Sequence, residues 1–167
     1  MKTARTAVLS VVLLSGLNLL AQSPSQKSFD LIKSLAGSWE GQNQMGDPIQ
    51  VSYRLTGGGS AVMSETLSQM QGKREDMISM IHMDGDRLLL THYCEAGNQP
   101  RMQATLSPDG KSISFYFVDA TNLASPDTPH MTSVVFKFVD SNHHIEEWHF
   151  QAPGKEVVQK FDLQKKG

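Results

Sequence analysis

A single cysteine, Cys94, stands in a chain of 167 residues, so no internal disulfide can form and the fold must rest on its packed core. Charge is sparse at 19%, with 15 Lys and Arg against 17 Asp and Glu, and no basic run is long enough to follow a phosphate backbone. Nucleic acid is therefore excluded as an expected partner. Neither Cys-x-x-Cys nor His-x-x-x-His spacing occurs, and there is no nucleophile elbow, phosphate loop or paired-carboxylate motif. Gly57-Gly58-Gly59 has a strand pattern on both sides and no helix after it, which makes it a hairpin turn and not an anion cradle. Beyond the first twenty residues no apolar run is long enough to span a membrane.

What is present is a signal followed by one domain. Lys2 and Arg5 precede the apolar stretch from Ala7 to Leu20, the order of charged and hydrophobic regions in a secretory signal, with cleavage expected after Ala21. No cysteine follows at the position of a lipid anchor, so the expected product is a free periplasmic or secreted protein with no stable membrane span. The chain divides into a signal peptide (1–21), an N-terminal segment with a short helix (22–36) and a β-domain (37–167). Hydrophobic residues at 39%, with 13 Gly and 7 Pro, fit a single folded core and exclude disorder, collagen and coiled coil.

Phe29, Leu31, Ile32 and Leu35 are spaced for a helix over Phe29 to Leu35, capped by Ser28 and stopped by Gly37. From there the period is two. Ten strands are expected: Ser38 to Gln44, Ile49 to Thr56, Ala61 to Leu67, Met77 to Met83, Arg87 to Cys94, Met102 to Leu106, Ser112 to Asp119, Met131 to Val139, His144 to Gln151 and Val157 to Leu163. Eight short turn signals, such as Asp84-Gly85-Asp86 and Pro108-Asp109-Gly110, link them into an up-and-down antiparallel meander. A meander of this length removes its exposed edges by closing, so the fold class is all-β, a closed barrel with the N-terminal helix as its plug. The one long connection, Ala120 to His130 with Pro126 and Pro129, is expected to be a lid or flap.

The segment Leu35-Ala-Gly-Ser-Trp-Glu-Gly41 resembles the Gly-x-Trp signature that opens the first strand of calycin barrels, which include lipocalins, fatty-acid-binding proteins and nitrobindins. Gly37, Trp39 and Gly41 look most like exported bacterial calycin-like proteins of the nitrobindin type, many of unknown function. The resemblance implies that Trp39 packs at the barrel floor, that Phe29 to Leu35 plugs that end, and that a basic residue of the last strand covers the Trp, for which Lys160 is the comparable residue. The chain departs from the lipocalin pattern of eight strands with a disulfide. A haem site of the nitrobindin type needs a proximal His near the chain's end, and His149 lies one strand early.

By alternation Leu88, Leu90, His92 and Cys94 share one face of a strand, continuing an apolar face with two reactive side chains, while Tyr93 lies on the other; Asn98, Gln99 and Arg101 rim the following turn. The competing account makes His92 a hydrogen-bonded core residue and Cys94 a small buried hydrophobe. A Cys94–His92 nucleophile and base pair is disfavoured because i and i+2 side chains on a strand stand about 7 Å apart. In the strand His144 to Gln151, Ile145, Glu147 and His149 oppose His144, Glu146, Trp148 and Phe150, so closure buries a Glu and a His whichever face is inward, with the Trp148 face favoured by its aromatics. The ligand-contact candidates are His92, Tyr93, Cys94, Arg101, Trp148, Glu147 and His149. Such a lumen suits a small apolar or amphipathic molecule, and no catalytic residue is assigned. Haem or a transition metal, resting on His92, Cys94 and His149 with His144 as the other choice of third metal ligand, is the alternative, and a non-enzymatic interaction module a third. Met77, Met80, His82 and Met83 resemble copper ligands in composition, but one strand divides them between two faces.

Overall fold

The computed structural model describes residues 22–70 and 72–167; the expected signal peptide lies outside the described residues. One helix and ten strands follow in order: α1 (Pro24–Ser34), β1 (Gly37–Asn43), β2 (Pro48–Thr56), β3 (Ala61–Met70), β4 (Lys73–Asp84), β5 (Arg87–Tyr93), β6 (Gln99–Leu106), β7 (Ser112–Thr121), β8 (His130–Asp140), β9 (His143–Ala152) and β10 (Lys155–Lys165). Each strand pairs antiparallel with its sequence neighbours, and β1 pairs with both β2 and β10. The sheet is thus a closed up-and-down barrel whose seam joins the first and last strands.

Closure requires β1 to come very close to β10 at Gly41, which sits opposite Leu163. A Cβ at Gly41 would lie 1.8 Å from the carbonyl oxygen of Asp162, so only glycine permits the approach. At Gly37 the backbone φ is +130°, a conformation that favours glycine at the turn from α1 into β1.

The helix begins earlier than its apolar spacing predicts. Ser23 is the N-cap, accepting from the Gln26 amide at 3.2 Å. Pro24 opens the first turn, where its missing N–H is no loss. Ser28, the expected cap, is buried inside the helix and donates to the Pro24 carbonyl at 2.9 Å. The helix turns Phe29 and Ile32 into the core and packs against β4, β5 and β6, plugging one end of the barrel.

Inward residues of the plugged half form a dense apolar core, including Val51, Ile81, Leu88, Leu90, Met102, Ile113, Phe115, Val134, Phe136 and Leu163. Trp39 is buried at the floor, donating its indole N–H to the Leu35 carbonyl at 2.7 Å, so that α1 and β1 are fixed to each other. The cation over its ring is Lys165, with Nζ 5.5 Å from the ring centroid. Lys160, the residue suggested by comparison with lipocalins, is exposed, because the inward set of β10 is Val157, Gln159, Phe161 and Leu163.

The long connection is also less free than expected. β7 runs on to Thr121 and β8 starts at His130, and residues 122–129 are tied to the β5–β6 turn. Asn98 Nδ2 donates to the Pro129 carbonyl at 2.9 Å and Asn122 Nδ2 to the Gly97 carbonyl at 2.6 Å. None of residues 122–129 lines the main cavity, so this loop is a strapped flank of the open end and not a lid.

Candidate functional site

Strand alternation carries four side chains of β9 into the barrel: His144, Glu146, Trp148 and Phe150. They form a column from the plugged floor to the open mouth. At the bottom, His144 meets the edge of Trp39 with ring centroids 4.3 Å apart. One step up, Glu146 is fully buried and collects the polar hydrogens around it. The Tyr53 hydroxyl donates to Glu146 Oε1, and the Trp148 indole N–H donates to Glu146 Oε2 at 2.7 Å. His144 Nε2 lies 3.1 Å from the Tyr53 oxygen and 3.3 Å from Glu146 Oε1. Burial and the neighbouring Glu146 push the Tyr53 hydroxyl well above the usual tyrosine range, so it stays a donor at all ordinary pH.

Trp148 separates this cluster from an open chamber. From the opposite wall, His92 of β5 reaches across to it, with ring centroids 4.8 Å apart. His92 Nδ1 lies 3.0 Å from the Ser79 hydroxyl, while its Nε2 is buried with no hydrogen-bond partner among the described residues. Burial lowers the imidazole to about 4, against a weaker upward pull from Glu146, so His92 is neutral at physiological pH.

Above this bridge lies a cavity of about 560 Å³ that opens at the end opposite α1. Its wall is mostly apolar, with Met77, Met131, Trp148, Phe150, Val157 and Phe161. Thr66, His92 and Gln159 add polar groups, and Lys73, Glu75, Cys94 and Glu95 stand towards the mouth. Lys73 is bound to Glu95. Glu75 is held above the usual carboxyl range by partial burial and by the charge of Glu95. Burial likewise raises the Cys94 thiol, which leaves it a poor nucleophile.

Of the residues singled out from sequence, His92, Cys94 and Trp148 converge on the cavity, and Trp39, Gly37 and Gly41 occupy the floor and the seam. The other four point outward. Tyr93 is exposed, since it alternates with His92 and Cys94 on β5. Arg101 forms a two-pronged ion pair with Asp119 on the outer face, its Nε donating to Oδ1 at 2.8 Å. Glu147 pairs with Lys137 at 2.7 Å, and His149 Nδ1 lies 3.0 Å from Glu156 Oε1. Asp119, Lys137 and Glu156 stand on the outer face of β7, β8 and β10, so none of the four can contact a molecule in the lumen.

That placement breaks the metal set of His92, Cys94 and His149, because His149 lies outside the wall. Among the described residues no three His, Cys, Asp or Glu side chains gather as a cation site. A haem would find one imidazole, His92, and for its two propionates a rim with one lysine already paired and two acidic residues. The donor set does not fit either group.

Three buried side chains around the column find their partners only in the folded chain. Tyr53 gives no local sign of its partner, which lies 93 residues away. Glu146 and His144 were legible only as a face that closure would bury. The inward face of β3 is Val62, Ser64, Thr66 and Ser68, while Met63, Glu65 and Leu67 face out, and of the inward set Thr66 lines the chamber.

The chain matches no known family in a comparison against family profiles, and no curated protein matches it. Its ten-stranded closed barrel is consistent with a calycin-like architecture. No helix among the described residues is long and apolar enough to cross a membrane.

Proposed function

We propose that this protein is an exported calycin-like carrier that holds one small apolar or amphipathic molecule in the barrel lumen. The observation that carries the proposal is the chamber itself. It is about 560 Å³ in volume, open at one end, apolar along most of its wall and polar at a few points. Sites for small molecules share this size and this chemistry. A barrel with no such task can fill its interior with side chains, as the plugged half of this one does. Export is supported by Lys2, Arg5 and the apolar stretch from Ala7 to Leu20.

Titration with a neutral naphthylamine dye, followed by the dye's own emission and by native mass spectrometry, tests the proposal. One dye per chain, displaced by apolar competitors and quenching Trp148, is the expected result. Absence of dye binding together with no ligand mass on protein purified from its own host would overturn it.

A further inference from the structure

The charge distribution around the lumen restricts what can enter it. Among the described residues that line the cavity, Lys73 is the single cation, and it stands at the exposed rim already bound to Glu95. Glu75 lines the wall below it without a paired cation. The Glu146 carboxyl group lies directly beneath Trp148, with both oxygens occupied by Tyr53 and Trp148 hydrogens. His92, the deepest titratable side chain of the wall, is neutral. An anionic head group would therefore lose its hydration and meet acidic groups above and below, and the one cation of the lining, Lys73, is already engaged by Glu95 at the rim.

Uncharged polar chemistry, by contrast, is available. Two wall residues carry buried atoms that have no hydrogen-bond partner among the described residues, His92 Nε2 and Gln159 Oε1. A buried polar atom left unpaired is costly, so a small rotation that joined it to an incoming group would be rewarded. Gln159 sits opposite Trp148 in the β9–β10 register, and Trp148 in turn touches His92. Gln159 thus lies beside Trp148 on one wall and His92 meets Trp148 from the other, with the Thr66 hydroxyl lining the same cavity. A hydroxyl or amide can donate to an amide oxygen and also serve either tautomer of an imidazole, whereas an ionised carboxylate only accepts and so cannot satisfy Gln159 Oε1.

We infer that the molecule held in this lumen is an uncharged amphipath whose polar end is a hydroxyl or amide group, and that carboxylate-headed lipids are excluded. The inference rests on the lumen-binding proposal above and specifies its ligand class. Competition against the bound neutral dye at neutral pH tests it with decanol and decanoate, which share a chain and differ in the head group. Decanol should displace the dye and decanoate should not. Gln159→Leu should weaken decanol by about three- to tenfold, one hydrogen bond's worth, and weaken it more than it weakens an alkane-like competitor with no polar head. Glu75→Lys, at a partly exposed rim position where folding is not at stake, should admit decanoate with a gain of about tenfold or more. Equal displacement by decanoate, or a Glu75→Lys chain that still excludes it, would overturn the uncharged-ligand inference while leaving the carrier proposal standing. Failure of the dye and decanol alike to bind would overturn the carrier proposal itself.

Discussion

His92 shows how one buried side chain couples stability to acidity. Its folded form titrates at about 4 against an ordinary 6.5, because burial penalises the imidazolium. Above pH 6.5 the imidazole is neutral whether folded or not, and it adds no pH dependence. As pH falls from 6.5 towards 4 the unfolded chain takes up the proton first, so folding stability is lost, by on the order of 3 kcal/mol across that window. Denaturant midpoints at pH 7.5 and 4.5 should differ for the native protein, and His92→Phe should reduce the difference; an unchanged difference would refute this assignment. Glu146 makes a second prediction. Glu146→Leu removes the acceptor of Tyr53 and Trp148 inside a closed core, so it should destabilise by more than about 2 kcal/mol in chemical denaturation. Tyr53→Phe combined with Glu146→Leu should cost less than the sum of the two single changes, since they share one contact. Residue identity was partly readable in advance. Alternation put His92 and Cys94 on one face, and the aromatic pair marked the Trp148 face of β9 as the packed one. The choice of Lys165 over Lys160 and the union of Tyr53 with Glu146 depend on register between distant strands, which no local pattern encodes.

At the scale of elements, turn chemistry gave the strand spacing and backbone approach decides the seam. All ten expected strands occur, most extended by one to four residues because hydrogen bonding continues past the last apolar position. Turns with glycine at positive φ, such as Gly85 and Gly110, fall where the sequence placed them. α1 was misjudged for an identifiable reason: it starts at the Ser23-Pro24 signal, upstream of its first apolar residue. The inward face of β3, with Ser64, Thr66 and Ser68, was not legible because both of its faces mix polar and apolar residues. Gly41 carries the sharpest prediction at this scale. Gly41→Ala would place a methyl against the Asp162 carbonyl and force β1 and β10 apart, with a loss of about 3 kcal/mol or more. Gly46→Ala, in an open turn with nothing within 4 Å, serves as the comparison, and its cost should be limited to the strain of a positive φ. Similar melting temperatures for the two variants would contradict this account of the seam.

For the whole molecule, the division into a packed half and a hollow half separates stability from binding. Phe29, Ile32, Trp39 and the core around Ile81 and Leu90 hold the plugged end, so Ile32→Ala should cost about 2–5 kcal/mol while leaving dye affinity within about twofold in whatever fraction stays folded. Phe150→Ala, by contrast, alters a cavity wall residue that is only half-buried, and its effect should fall on affinity first. Thermal melts and dye titrations on the two variants check the separation, which fails if both quantities move together.

The seam between β1 and β10 sets a condition on synthesis as well. Its last partner is the 11-residue strand Lys155–Lys165, held at its end by the Lys166 amide donating to the Ser38 carbonyl at 2.8 Å. A growing chain can therefore pair nine strands and still have two open edges, and the ring is completed only when Lys155–Lys165 has been made and can reach β1. A chain lacking β10 would expose those edges to other chains, so loss of this strand should leave a protein prone to associate through its edges.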